Sequence, residues 1–519
     1  MPTLEWIGKE KVINHHQQVP YRVLEEQYTY NAEKSENMII HGDNLDALKA
    51  LLPRYEGRVK CIYIDPPYNT GNEGWVYNDN VNDPHIRTWL GKVVGAEGED
   101  LSRHDKWLCM MYPRLRLLHK LLANDGFIFI SIDVFEYANL KCIMDEIFGQ
   151  ANFRNCIAVR RGIKNVQAQF ESVQALSLGH EYIYLYSKSP QAKLPKLSKE
   201  FEIEKAGKWD TFWRGTDRPT MRYEIFGYTP DSGQWRWEIG RATKAKANYE
   251  RYLAESSAEM SIDDFYIEHL MATNEKLDFV RKNEGGTIQY YVPPQAGKLL
   301  SDNWMDILLS GSFAGFDTEK NVLLIERIID WITSKDDVVL DSFAGSATTA
   351  HAVLNMNKAD GGNRKFILVE MMDYADSITA ERVKRVIDDY GRGNQAVPGT
   401  GGDFTFYELG QPLLLENGNL NEDVGAEKIR EYVWYTETKQ PMGDPGDEHP
   451  YYLGKCRDTG YYFYYEREQL TTLDHSFLAT IKEPAEHYLI YADLCTIPEE
   501  ELKQYNITFK KIPRDIAKV

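Results

Sequence analysis

Short apolar runs alternate with helical periods over the first 150 residues. MIIHGD (38–43) reads as a strand, LDALKALL as a helix and CIYID (61–65) as a second strand. Beyond a polar loop rich in Gly, Asn and Asp, apolar positions recur at helical spacing from Lys106 to Ala123. GFIFISID (126–133) follows as a strand, and a helix from Glu136 to Phe148 meets Gly149, a residue suited to a helix end. This alternation predicts a parallel sheet with helices on both faces. From about Asn155 to Asp302 the regularity lapses, and Trp, Arg, Gly and Tyr interleave. It resumes with a helix over Glu319 to Thr333, the strand VVLDSFAG (338–345), a helix through Asn357, the strand KFILVE (365–370) and a helix near Ser377 to Tyr390. The pattern predicts one α/β domain split by a long insertion. RGNQAVPGTGGDF (392–404) reads as a linker, ahead of a Tyr-rich tail with strand-like pieces such as YYFYYE and HYLIYADL.

At 519 residues the chain is too long for one ordinary core and predicts two to four domains. No apolar run approaches the roughly 18 residues that cross a bilayer, and MPTLEWIGKEKVINHH lacks a signal-peptide core, so a cytoplasmic location is expected. The six cysteines lie far apart without metal-ligand spacing and read as reduced thiols; no metal is expected. A net charge of −19 argues against a nucleic-acid partner until its distribution is examined. Residues 151–230 carry thirteen Lys and Arg against eight Asp and Glu, a local +5, whereas 401–519 carry a local −10.

In VLDSFAGSATTAHAVL (339–354) a buried strand runs through small residues straight into a helix. The first-turn amides then face whatever sits at the strand's carboxyl end, and Asp341 and Gly345 are where a cofactor would approach. FAGS alone serves equally well as an ordinary turn. Glu370 shifts the balance: it ends the next strand, 25 residues on, where an acidic side chain commonly bonds the hydroxyls of a bound ribose.

IDPPYNTG (64–71) stiffens the chain at a strand end. Pro66 keeps Asp65 extended; Pro66 and Pro67 have fixed φ and no N–H, leaving carbonyls as the turn's polar groups. The Asp65 carboxylate and the Pro66 carbonyl form a rigid wall of acceptors beside the ring of Tyr68. Such a wall can take the hydrogens of an exocyclic amine while the ring stacks on its heterocycle.

With these motifs the sequence resembles the β-class amino-methyltransferases of DNA, whose DPPY motif precedes the cofactor-binding motif, as Asp65 to Tyr68 precede Phe343 to Gly345 here. The likeness runs through HGDNLDAL (41–48), IDPPYNTGN (64–72), WLCMMYPRLRLL (107–118), IFISID (128–133), DEIFG (145–149), HEYIYLYSK (180–188), DTEKN (317–321), FAGSATTAHAVLN (343–355) and the ending YADLCTIPEEELKQYNITFKKIPRDI. It is most similar to the modification subunit of type III restriction-modification systems. The resemblance implies a Rossmann-like, S-adenosylmethionine-dependent fold with permuted motif order. Its expected parts are an N-terminal arm (1–35), a catalytic half (36–154), an inserted target-recognition domain (155–302), a cofactor-binding half (303–395) and a C-terminal α+β association domain (404–519). It implies methylation of adenine N6 in double-stranded DNA, since Asp at position 65 goes with adenine and Ser with cytosine in the family. Cytosine N4 methylation and a non-catalytic DNA-recognition subunit are the alternatives. Asp65, Pro66, Pro67 and Tyr68 would hold the base. Asp341, Phe343, Ala344, Gly345, Ser346 and Glu370 would form the S-adenosyl-L-methionine pocket, with Asp43 near the adenine and Thr318 and Lys320 near the methionine end. A homodimer and an ATP-dependent restriction subunit are the implied partners. Two positions depart from the family: Ala347 stands where Gly is usual, and Asn321 where Pro is usual.

In the insertion, residues 209–237 set Trp213, Trp235 and Trp237 among Arg214, Arg218, Arg222 and Arg236. The arginines are candidate DNA contacts, and the tryptophans read as core residues of a small subdomain. The adjacent His15 and His16 read as a solvated face. No Gly-Lys-Ser/Thr phosphate loop occurs, so an ATP-driven motor would be another polypeptide.

Overall fold

The computed structural model describes residues 3–69, 103–162, 176–311, 313, 319–391, 396–443 and 449–514. They form two compact units, one from Met1–Pro195 with Asp302–Val519 and one from Lys196–Ser301.

Ten strands of the first unit share one sheet: β1 (Arg22–Tyr30), β2 (Met38–His41), β3 (Val59–Ile64), β4 (Leu122–Ile132), β5 (Phe153–Arg160), β6 (His180–Ser187), β7 (Asn303–Leu308), β8 (Val338–Asp341), β9 (Lys365–Glu370) and β10 (Phe404–Pro412). Their order is β1-β10-β2-β9-β8-β3-β4-β6-β5-β7. From β10 to β4 every neighbouring pair is parallel, and the central strands are buried on both faces, as continuous apolar runs such as Cys61–Ile64 require. The helices are α1 (Asn44–Tyr55), α2 (Arg103–Leu121), α3 (Tyr137–Phe148), α4 (Val322–Ile332), α5 (Thr348–Asp360) and α6 (Glu381–Asp388). In α4 the buried residues Leu324, Ile325, Ile328, Ile329 and Ile332 fall on one face at helical spacing.

Chain direction places the site. After β3 the chain goes to its neighbour β4; after β8 it crosses through α5 to β9, on the other side. The two connections diverge, so the carboxyl ends of β3 and β8 flank a topological switch point, the place where open α/β sheets form the crevice that binds ligands.

The α/β architecture is as expected, but the boundaries shift. The insertion was expected to begin at 155; β5 and β6 belong to the main sheet instead, with Ile157, Val159 and Ile183 to Tyr186 in its core, and the second unit begins at Lys196. The arm 1–35 contributes β1. The segment expected to open the C-terminal domain is β10, whose Phe404 and Phe406 are buried and which pairs with β2. Beyond it, helix Ala426–Thr438 accompanies a four-stranded sheet of Tyr452–Cys456, Thr459–Phe463, His487–Ala492 and Ile507–Lys511. Its buried Arg514 pairs with Asp493, Nε to Oδ1 at 2.6 Å. His16 is not solvated: it is buried in a short helix, its carbonyl accepts from Lys49 Nζ at 3.0 Å, and burial lowers its pKa to about 4.

The second unit holds a three-stranded sheet of Val280–Lys282, Ile288–Val292 and Lys208–Thr211 with helices Ile239–Glu255 and Ile262–Thr273. Phe212 and Trp235 stack in its core at 5.4 Å between ring centres. Among the described residues, no helix is long and apolar enough to cross a membrane.

Candidate active site

Asp65 follows the last residue of β3, and the turn after it is pinned from two sides. Trp107 Nε1 donates to the Pro67 carbonyl at 2.7 Å. Asn69, in the left-handed region at φ 59°, donates from Nδ2 to Glu136 Oε1, which also meets His104 Nδ1 at 2.7 Å, while Asn139 Nδ2 donates to Oε2 at 2.8 Å. Glu136 is fully buried, so these contacts fix the turn on α2 and the start of α3. Asp65 and Tyr68 both meet Lys320: its Nζ lies 3.0 Å from Asp65 Oδ1 and donates to the Tyr68 hydroxyl at 2.7 Å. Desolvation raises the Asp65 pKa, and the Lys320 ammonium opposes that rise.

Across the crevice, Asp341 ends β8. Its Oδ1 accepts from the Phe343 amide at 3.0 Å and its Oδ2 from Thr349 Oγ1 at 2.6 Å, so one carboxylate folds the Ser342–Ser346 turn onto α5. Glu370 ends β9; its Oε2 accepts from the Gly345 amide at 2.7 Å and its Oε1 from the Met372 amide at 3.0 Å. Ala344 N donates to the Val369 carbonyl at 3.1 Å. Burial lifts both carboxyl groups to about 7, and for Asp341 the charges of Asp65 and Glu370 add to the rise. Ser342 Oγ is buried in the same turn without a hydrogen-bond partner among the described residues. Asp43 caps α1 through the Leu45 amide at 2.8 Å and pairs with the buried Arg114, Nη2 to Oδ2 at 3.2 Å.

β3 and β8 thus bring Asp65 and Asp341 to one edge, with Glu370 and Asp43 along it. Thr318 lies outside the described residues. Lys320, expected toward the cofactor, touches Asp65 and Tyr68. Arg214, Arg218, Arg222 and Arg236 all lie in the second unit. Arg222 donates to the Gly233 carbonyl at 2.9 Å and pairs with Asp217, and Arg236 donates to the Thr211 carbonyl at 2.9 Å, so these two guanidinium groups already hold their own loops; Arg218 is exposed. Of the tryptophans, Trp235 is buried and Trp213 is 41% exposed.

Sequence reasoning missed Arg382, Glu319 and Glu181. Arg382, on α6, donates to the Ser346 carbonyl at 3.1 Å, Ser346 Oγ at 2.9 Å and Thr348 Oγ1 at 3.0 Å, and pairs with Glu319 Oε1 at 3.0 Å. The only sequence signal for Glu181 is its place in HEYIYLYSK; Arg382 has none, because a lone Arg on an amphipathic helix reads as surface.

The departures acquire physical meaning. Asn321 caps α4 through the Leu323 amide at 3.0 Å, and its own N–H donates to the Leu309 carbonyl at 2.7 Å, which proline could not do. Ala347 stands at φ 63°, ψ 35°, fully buried, at the start of α5. A left-handed non-glycine residue costs about 1–2 kcal/mol, partly offset by glycine's freedom in the unfolded chain. Ala347→Gly is therefore expected to stabilise the chain by about 0.5–1 kcal/mol, read as a higher midpoint in urea unfolding; an unchanged or lower midpoint would show that no strain is stored there.

A DNA methylase family model matches residues 59–381. The type III restriction-modification enzyme StyLTI Mod subunit of Salmonella typhimurium LT2 is 34% identical over 440 residues, covering 79% of this chain and 62% of that protein. The EcoPI Mod subunit of Escherichia phage P1 is 31% identical, covering 71% and 63%. The type II methyltransferase M.KpnI of Klebsiella pneumoniae is 32% identical over 381 residues, covering 66% of this chain and 84% of its own length. The chain spans a little under two thirds of these two Mod relatives. With the family model covering more than half of it, the chain belongs to the DNA methylase family.

Proposed function

We propose that the chain transfers a methyl group from S-adenosylmethionine to adenine N6 in double-stranded DNA, as the modification subunit of a type III restriction-modification system. The observation that carries this reading is the pairing, across one switch-point crevice, of a rigid acceptor turn at Asp65–Tyr68 with the acidic edge of Asp341 and Glu370. The residues fit the cofactor. Glu370 is held at the strand end by the Gly345 and Met372 amides, Ser342 Oγ lacks a partner among the described residues, and the cluster of carboxylates favours a cation. When bound, the cofactor supplies a methyl group on positively charged sulfur, ready for displacement.

The chain's own residues do the rest. The Asp65 carboxylate accepts one amine hydrogen, the Pro66 carbonyl the other, and Tyr68 stacks on the flipped base. Held so, the N6 lone pair is kept out of the ring's conjugation and aimed at the methyl carbon. On receiving the methyl group N6 would become cationic and shed a proton, for which Asp65 is the adjacent base, its basicity raised by burial. Alignment supplies most of the rate. The similarity to Mod subunits supports assembly with a second copy and with an ATP-dependent restriction subunit; the second unit, with exposed Arg218, is the target-recognition element of this reading, acting in the cytoplasm.

Purified chain, labelled cofactor and unmethylated duplex DNA test it. Label recovered as N6-methyladenine is expected; label in N4-methylcytosine would move the reaction to cytosine, and no transfer would contradict the reading.

Cofactor affinity should depend on pH. Only ionised Glu370 accepts both ribose hydroxyls fully, and its carboxyl titrates near 7, so lowering the pH from 8 to 6 should weaken binding about tenfold. The stability of the cofactor-free fold moves the other way. With folded pKa values above the unfolded ones, Asp341 and Glu370 contribute stability below pH 4 that is lost as the pH rises through 7. Calorimetry on wild type and Glu370→Gln checks this: the pH slope should flatten in the variant, and a flat slope in wild type would contradict the assignment.

A further inference from the structure

This inference rests on the methylase reading of the same site. Lys320 Nζ lies 3.0 Å from Asp65 Oδ1, 2.7 Å from the Tyr68 hydroxyl and 4.8 Å from the centre of the Tyr68 ring. A nitrogen against the Asp65 carboxylate and beside the face of Tyr68 is what the reaction asks of the target amine. Lys320 therefore holds the place the amine must take, and a base can be seated only after the ammonium moves.

A cation this enclosed needs a second counter-charge. The Lys320 side chain is 11% exposed, and stranding its charge in the crevice is steeply unfavourable. Glu181, on β6, stands beside it, with a side chain 7% exposed. Its Oε1 lies 3.4 Å from Arg161 Nε, which fixes the carboxylate. Its Oε2 is buried, accepts no hydrogen bond among the described residues, and lies 3.8 Å from Lys320 Nζ. A shift of about 1 Å brings that pair to hydrogen-bonding distance.

We propose that Glu181 is a positioning residue of the base pocket: its Oε2 receives the Lys320 ammonium when the target amine takes over Asp65 and Tyr68. The exchange keeps a carboxylate opposite the ammonium throughout. Before the base enters, Lys320 neutralises Asp65; once the base is seated it neutralises Glu181, and Asp65 is released to accept the amine's proton.

Steady-state methyl transfer by the full chain to unmethylated duplex DNA, at saturating cofactor, tests this. Glu181→Gln keeps the shape and removes the charge; kcat should fall about tenfold or more, while the Kd for DNA and for cofactor stay within about twofold and Glu181→Asp recovers most of kcat. Lys320→Leu removes the placeholder. That variant should be slower yet still turn over, and in its background Glu181→Gln should cost less than about twofold. The inference is overturned by an unchanged kcat in Glu181→Gln, by an equal loss in the Lys320→Leu background, or by complete loss of turnover in Lys320→Leu. If Glu181→Gln does not fold, Glu181→Ala with and without Lys320→Leu carries the same comparison. A wild-type chain that binds cofactor and DNA but transfers nothing would overturn the methylase reading instead.

Discussion

Asp65→Ala is expected to lower methyl transfer by about 10³-fold or more while leaving the Kd for duplex DNA within about twofold. The substitution removes both things the carboxylate offers the amine, an acceptor that fixes its direction and a base for its proton. It leaves the turn itself in place, because Trp107, Glu136 and Asn69 hold the turn through backbone and neighbouring groups rather than through Asp65. Removing the charge also frees Lys320 from its 3.0 Å ion pair, and Glu181 stands ready to take it, so the variant should fold. Single-turnover kinetics with a band-shift assay separates the two effects. Retained turnover would remove Asp65 from the chemistry; lost DNA binding would make its role structural.

The largest loss of stability is expected from Arg382→Met. The Arg382 side chain is 2% exposed and its partner Glu319 1%, and breaking so buried a pair costs about 3–5 kcal/mol. Burial lowers the pKa of the guanidinium to about 10 even with Glu319 opposing the fall. Arg382 also ties Ser346 and Thr348 to α6, so the turn after Asp341 should slacken. Thermal unfolding should start at lower temperature, and added S-adenosylmethionine should restore less of the midpoint than it adds to wild type. A variant as stable as the parent, with full cofactor response, would show that the pair is dispensable.

The sequence made legible what depends on strand ends and backbone stiffness. Asp65, Asp341 and Glu370 each close an apolar run, with Pro66 next to Asp65 and Gly345 in the turn after Asp341, so their meeting at one edge follows from parallel strands. What escaped is whatever the fold brings from afar. Arg114 reaches Asp43 from a helix 71 residues on, and Arg382 reaches Ser346 from 36 residues on; neither spacing leaves a period to read. β5, β6 and β10 escaped as members of the main sheet because strand composition reveals that a strand exists but not which sheet it joins. His16 looked solvated because its neighbours are polar, yet α2 and the short helix that carries it bury it. Ala347 was legible as a departure, but the reason glycine suits the position, a left-handed residue at the start of α5, lies in the backbone alone.

The central claim, site-specific methylation of adenine N6, is tested most directly by methylation-aware sequencing of DNA from cells expressing the wild-type chain or Asp65→Ala. N6-methyladenine in nearly every copy of one short sequence with wild type, and in none with the variant, is the predicted result. Modified cytosine, or DNA from wild-type cells with no methylated sequence, would contradict it.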